Sequence, residues 1–304
     1  MTNPTTRATA AIPDNSAHVR ALRNRNIRNG LLFIAPNFIG FFLLILIPVV
    51  TLFFTSFTKW SALGEPVFNG LKNWRRLIAD ENFKTALFYA VVHIPLTLAL
   101  AFGLAVLLNS KIRGRAFFRT VAFFPYVTAI VAVAQVWSMM FDPKSGIINQ
   151  FIGLFTDNPP GWLSDTHWAM AAVIIVGTWR EVGYFMILIL AGLQTIPNEL
   201  YEAAQMDGAN GWQRFWHITV PSMRPTLFFV TVTLTITSLK ILDLTLVMTN
   251  GGPGISTLVL AQYVYRVAFE RADFGYASTV SLALFFICLA VTLVQFWVNN
   301  RKER

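Results

Sequence analysis

Five stretches of the chain carry no Asp, Glu, Lys or Arg at all: residues 29–58, 85–110, 120–141, 244–265 and 274–300. Segments without charge over such lengths do not sit on a water-facing surface. A run of about 18 or more mostly apolar residues is long enough to cross a hydrocarbon core about 30 Å thick. In that medium every backbone polar group must be bonded within its own segment, which makes the spans helices. The chain therefore reads as an all-α, polytopic membrane protein. Composition agrees: of 304 residues 55% are hydrophobic, 27 are Phe and only 13% are charged, against about a quarter charged in soluble domains.

Hydropathy places six transmembrane helices near 31–56, 86–109, 120–141, 168–195, 225–249 and 277–299. The first is too long for the apolar region of a cleaved signal, and no A-x-A-like site follows it, so it reads as an uncleaved anchor. Residues 1–30 are polar and basic and read as a disordered cytoplasmic tail. Basic residues set the orientation. With both termini cytoplasmic, the inner segments hold Arg7, Arg20, Arg23, Arg25 and Arg28, then Lys111, Arg113, Arg115 and Arg119, then Arg214 and Arg224, then Arg301, Lys302 and Arg304. These outnumber the Lys and Arg of the outer loops, although the first outer loop dilutes the bias.

The net charge of +9 does not make a nucleic-acid module, because much of it lies in short segments beside apolar spans rather than on one aromatic-bearing face. The single Cys288 has no partner for an internal disulfide. His18, His93, His167 and His217 are scattered singles and read as packing residues. No metal-ligand cluster is apparent, and no internal repeat stands out.

The most informative segment is 196–225, IPNELYEAAQMDGANGWQRFWHITVPSMRP. Pro197 suits a helix start, and Asn198 to Met206 reads as a short helix. Asp207-Gly208-Ala209-Asn210-Gly211 ends it, with glycines free to take positive φ. Trp212 to Ile218 reads as a second short helix that ends before Pro221. Ala203 and Ala204 let another surface approach closely, and Glu202 and Asp207 offer negative charge. Physics alone reads this hairpin equally well as an amphipathic turn lying on the membrane surface.

Glu202-Ala203-Ala204, Asp207-Gly208-Ala209, Phe215, Ile218, Val220 and Pro221 together resemble the EAA loop of binding-protein-dependent ABC importer permeases. The glycine falls six residues after the glutamate and the proline thirteen after the glycine; Val220 stands where leucine is usual. Phe68-Asn69-Gly70-Leu71-Lys72-Asn73-Trp74 with Asp80 and Phe83, then Thr249-Asn250-Gly251-Gly252-Pro253, Ser256-Thr257 and the stretch Tyr263 to Tyr276, are similar to the carbohydrate branch of that family. The resemblance covers about residues 31–300, which would form one six-span permease domain with 196–225 as its cytoplasmic coupling loop.

The resemblance implies that this loop docks on a cytosolic ATPase, with Glu202 as charged contact and Gly208 as turn. It also implies a dimer of ATPase subunits, a second homologous permease, an extracytoplasmic solute-binding protein and a sugar substrate, in the cell membrane of a prokaryote. The chain has no G-x-x-x-x-G-K-[ST] phosphate loop. It is therefore expected to be no enzyme and to bind no cofactor, with ATP-Mg held in the partner subunits.

Arg180, Glu181, Lys240 and Asp243 lie within spans, where each charge costs about 2.5–3.5 kcal/mol on insertion scales. Lys240 and Asp243, three apart, can share a helix face. One reading is a polar sugar pathway completed by Trp179, Tyr184, Thr235 and Ser238; the other is ion pairing that holds helices together. Resemblance to the maltose permease pattern places Tyr184, and less firmly Ser238, facing the sugar. Two rival functions remain at this point: a secondary transporter using Glu181 and Asp243 as proton carriers, and a membrane enzyme acting on lipid-linked sugars, for which no carboxylate or metal cluster is apparent.

Overall fold

The computed structural model describes residues 16–61, 64–110 and 112–301; the expectations placed on residues 1–15, including Arg7, and on Lys111, Lys302 and Arg304 fall outside them. The chain divides into two units, 1–52 and 53–304.

The first unit contains helix α1 (Ser16–Phe41), a π-helical turn (Phe42–Leu46) and most of α2 (Ile47–Thr55). The helical path Ile27–Thr55 is 29 residues long with mean hydropathy 2.6, and forms the first span. Residues 16–30 are helical rather than the expected disordered tail. Polarity alone suggested disorder, but Ala17, Ala21, Leu22 and the arginines are strong helix formers, and the segment extends a helix already nucleated by the apolar run.

The second unit opens with a two-residue antiparallel ribbon, β1 (Thr58–Lys59) on β2 (Val67–Phe68), with Thr58 opposite Phe68. Helices α3 (Lys72–Ala79), α4 (Glu81–Ala86) and α5 (Phe88–Asn109) follow; α4 and α5 run on as one 29-residue span, Glu81–Asn109. Next come α6 (Arg115–Val127), α7 (Ile130–Met140), α8 (Ile147–Ile152) and the long α9 (Thr166–Leu193). The hairpin segment is α10 (Asn198–Met206), α11 (Gly211–Arg214), a π turn (Phe215–Thr219) and α12 (Val220–Ser222). The chain ends with α13 (Arg224–Leu239), α14 (Asp243–Met248), α15 (Leu260–Tyr265), a π turn (Arg266–Glu270) and α16 (Phe274–Arg301).

Among the described residues five helical paths are long and apolar enough to cross a membrane, and the count reaches six when the bent pair α6–α7 is taken as one span. Over the span expected near 120–141 the chain is two helices whose axes meet at 98°. Thr128 is extended at the corner and Ala129 lies outside the helical region at φ −59° and ψ 122°, and the Thr128 hydroxyl donates back to the Pro125 carbonyl at 2.6 Å. The fifth span is also interrupted. Its helix stops at Leu239 and restarts at Asp243 through Leu242 at φ −136° and ψ −56°.

Helix α9 is the central element. Met170, Val173 and Val176 pack with Tyr89, Phe141, Leu244 and Met248, and Phe185, Met186 and Ile189 with Ala101, Ala105, Val230 and Leu234. Close approach depends on glycine. A Cβ on Gly183 would lie 1.8 Å from the carbonyl oxygen of Ala122 in α6, so α6 crosses α9 in backbone contact.

Candidate functional site: a coupling hairpin and a polar interior

The hairpin is built as its sequence dictates. Pro197 caps α10 with extended backbone. Gly208 turns the chain at φ +77°, a conformation that costs a residue with a Cβ about 1–2 kcal/mol. Asn210 and Gln213 then form a reciprocal capping box at the start of α11. The second arm differs from expectation: the helical path does not end before Pro221 but runs to Ser222, with Pro221 inside α12. A proline ring strikes the carbonyl four residues back in an α-helix. Here that carbonyl belongs to His217, inside the wider π turn Phe215–Thr219, so the ring is accommodated. The same device precedes Pro48, whose fourth residue back lies in the π turn Phe42–Leu46.

The hairpin is anchored on one side and open on the other. Tyr201 Oη meets Thr219 Oγ1 at 2.9 Å, joining its two arms. Phe215 packs on Phe102 of α5 with ring centroids 5.8 Å apart, and Met223 is buried. Glu202, Ala203, Asp207 and Gly208 are exposed. A groove of about 300 Å³ between the arms is lined by Ala204, Asp207, Gly208, Ala209, Gln213, Arg214, His217 and Ile218. Leu200, Met206, Trp212 and Trp216 are exposed as well; these apolar side chains, not picked out from the sequence, flank Glu202, Ala203 and Ala204 along the chain.

Inside the spans the structure brings some of the predicted residues together and separates others. Arg180 Nη1 lies 3.9 Å from Glu181 Oε1 and its Nη2 donates to the Tyr126 carbonyl at 3.4 Å. Its guanidinium sits over the Tyr126 ring, and that ring stacks flat on Tyr184, 4.3 Å away at 9°. Tyr184 is thus the outer member of a layered Arg–Tyr–Tyr arrangement. Trp179, two residues from Glu181, points to the opposite side of α9, since residues two apart do not share a helix face; it meets Trp137 edge-on at 5.3 Å. Ser238 is buried and lies 2.9 Å from His93 Nδ1. Thr235 is buried. Lys240 and Asp243 are both exposed and make no ion pair with each other among the described residues, because the break at Ile241-Leu242 removes the common helix face expected for them.

Two residues of this interior were missed. Tyr126 sits beside the corner between α6 and α7. His93, set aside above as a packing histidine, touches Ser238 and faces Glu181 at 4.0 Å. The available signal was its position, a histidine in a stretch, 85–110, that holds no Asp, Glu, Lys or Arg.

At the other end of the unit, the two remaining resemblance motifs interlock. The Asn73 amide donates to the carbonyls of Ser56 at 3.0 Å and Thr58 at 2.8 Å. Asp80 accepts the backbone N–H of Asn82 at 2.9 Å and the hydroxyls of Tyr263 and Tyr276. Arg76 pairs with Asp273 at 2.8 Å and covers the Tyr276 ring at 3.8 Å. Burial raises the Asp80 carboxyl, but the bonds from Tyr263, Tyr276 and the backbone of Asn82 and Phe83 favour its charged form and hold it below the usual carboxylate range. A depressed carboxyl stabilises the fold above its unfolded value of about 3.9 and loses that contribution as pH falls through the folded value. Asp80→Ala is expected to strand two tyrosine hydroxyls and lower stability by about 1–3 kcal/mol at neutral pH. Thermal unfolding in detergent should show the gap to the parent chain narrowing below about pH 4; a gap independent of pH would remove the charge from this account.

The family described as the binding-protein-dependent transport system inner membrane component matches residues 95–304. The chain belongs to this family. The match takes in the hairpin and every span from most of α5 onward, which bears out the resemblance read from 196–225. The lactose transport system permease protein LacF of Rhizobium radiobacter is 36% identical over 287 residues, covering 90% of this chain and 95% of LacF. The trehalose/maltose transport system permease protein MalF of Thermococcus litoralis is 30% identical, covering 93% and 97%. In fold, this family member is similar to a chain of a bacterial ABC transporter involved in the import of the acidic polysaccharide alginate, with a TM-score of 0.77 at 23% identity over 93% of this chain and 100% of that one.

Proposed function

We propose that this inner membrane component is a permease subunit of an ATP-driven importer of sugars or oligosaccharides, working by alternating access. The observation that carries the reading is the 196–225 hairpin, rigidly anchored by Tyr201, Phe215 and Met223 while Glu202, Ala203 and Asp207 face outward. The named roles of relatives support the substrate class: lactose, trehalose/maltose and, in Streptomyces coelicolor, diacetylchitobiose, the last at 32% identity over 98% of this chain.

In this reading the hairpin lies on the cytoplasmic side and both termini are cytoplasmic. A dimer of ABC ATPases holds ATP-Mg and receives Glu202 in a groove. When the ATPases close, the displacement of α10 passes through the Tyr201–Thr219 contact to α13 and through Phe215–Phe102 to α5. A ligand shifts such an equilibrium only through its different affinity for the two states. A second, homologous permease completes the pathway, and an extracytoplasmic binding protein delivers the sugar. Tyr184, backed by Tyr126 and Arg180, offers the flat aromatic surface a sugar ring needs, and Glu181 offers a hydrogen bond; Ser238, buried with its hydroxyl on His93, is not free to meet a sugar in this conformation. Trp179, Lys240 and Asp243, exposed in the isolated chain, face the second permease.

Extraction of the native assembly in a mild detergent tests the partner set. Recovery of a P-loop ATPase at about one copy per permease chain, as a dimer in the assembly, is the expected result. Recovery of the folded chain with no ATPase, from membranes that retain uptake, would overturn it.

A further inference from the structure

Within the described residues, Tyr89 Oη, His93 Nε2 and Glu181 Oε2 are buried without a well-formed hydrogen bond to protein. Each such group carries a desolvation penalty unless something bonds it. Tyr89 and His93 are fully buried and their rings stack, with centroids 4.7 Å apart. Two of these atoms share one neighbour, and the third faces one of them. A Cβ on Gly177 would lie 2.3 Å from Tyr89 Oη and 3.4 Å from His93 Nε2, so both atoms pack against that glycine. Glu181 is one helical turn further along α9, and its Oε2 is 4.0 Å from His93 Nε2. That separation is too long for a direct hydrogen bond, which needs about 2.7–3.2 Å, and suits one bridging atom.

We propose that Tyr89, His93 and Glu181 hold a single buried water molecule beside Gly177. The proton count closes. Ser238 Oγ, 2.9 Å from His93 Nδ1, donates to it and leaves the imidazole proton on Nε2. Nε2–H and the Tyr89 hydroxyl donate to the water, and the water donates to Glu181 Oε2. Three partners lie within the two to four that a buried water makes. Arg180, 3.9 Å from the other Glu181 oxygen, balances the carboxylate. Among the described residues no three His, Cys, Asp or Glu side chains come together, so the site suits water rather than a metal ion. The water joins α5 to α9, and through His93 and Ser238 to α13.

The test is the sign of a stability change in Tyr89→Phe, made in the full chain and measured in the purified assembly. Phenylalanine keeps the ring and its stacking. A hydroxyl bonded to water is lost at a cost, so the melting temperature should fall by about 2–4 °C. An orphaned hydroxyl is better removed, so a rise in melting temperature would overturn the proposal. A density map of the parent assembly fine enough to show ordered water gives a second reading, independent of whether the variant folds. A peak within about 2.6–3.2 Å of both His93 Nε2 and Glu181 Oε2 supports the site; the two side chains closed onto each other with no peak between them would exclude it.

Discussion

Glu202→Lys leaves the chain inserted and folded but lowers ATP-dependent uptake about 100-fold. The first half follows from where Glu202 sits: it is exposed on α10, and its side chain bonds to no other described residue, so reversing its charge disturbs nothing inside the chain. The second half follows from the proposed interface. Placing like charges against each other in a protein contact costs several kcal/mol, and each 1.4 kcal/mol is about tenfold in affinity, so a loss of about 3 kcal/mol gives the stated effect. Uptake into membrane vesicles, normalised to the amount of extracted monodisperse protein, measures it. Gly208→Leu serves as the companion. A Cβ there meets nothing within 4 Å in this chain, so the φ of +77° and the lost approach of the partner are all it perturbs. Parent-level uptake in both variants would remove the hairpin from the coupling path.

Gly183→Val is expected to prevent the spans from assembling. The new Cβ would lie 1.8 Å from the carbonyl oxygen and 2.3 Å from the carbonyl carbon of Ala122, and backbone atoms inside a helix cannot rotate away. Overpacking against an immovable neighbour ordinarily costs about 1–3 kcal/mol and more when backbone is struck. The helices therefore have to separate, and with them the layer of Arg180, Tyr126 and Tyr184. The measurement is size-exclusion chromatography with thermal unfolding after detergent extraction. We expect an aggregated or absent peak. A monodisperse variant with an unchanged melting temperature would mean that α6 and α9 do not cross at Gly183.

The spans were legible because charge-free runs report directly on the solvent a segment meets. The breaks within them were not. A span bent at Thr128-Ala129 has the same composition as a straight one, and Pro125, the one local sign of the corner, is common in membrane helices. Lys240 and Asp243 looked like a pair because three-residue spacing assumes an unbroken helix. The hairpin was legible down to its turn glycine, since proline, glycine and capping residues act through local sterics; only Pro221 misled, because the π turn that accommodates it has no composition of its own. The interior site was half legible. Arg180, Glu181 and Tyr184 announce themselves as polar residues in a span, but His93 gains its meaning from Ser238, 145 residues away, and Tyr126 from Tyr184. Such pairings are set by how helices pack and leave no local trace.

The central claim is that this chain is a sugar-conducting subunit driven by ATP rather than by an ion gradient. Reconstituting the purified assembly with its binding protein into sealed vesicles, with ATP supplied on the hairpin side and an uncoupler present, tests it most directly. The account predicts accumulation of labelled sugar that needs ATP and the binding protein, is unaffected by the uncoupler, and is lost in Glu202→Lys. Accumulation that proceeds without ATP and collapses with the uncoupler would contradict it, and would make Glu181 and Asp243 the residues to study next.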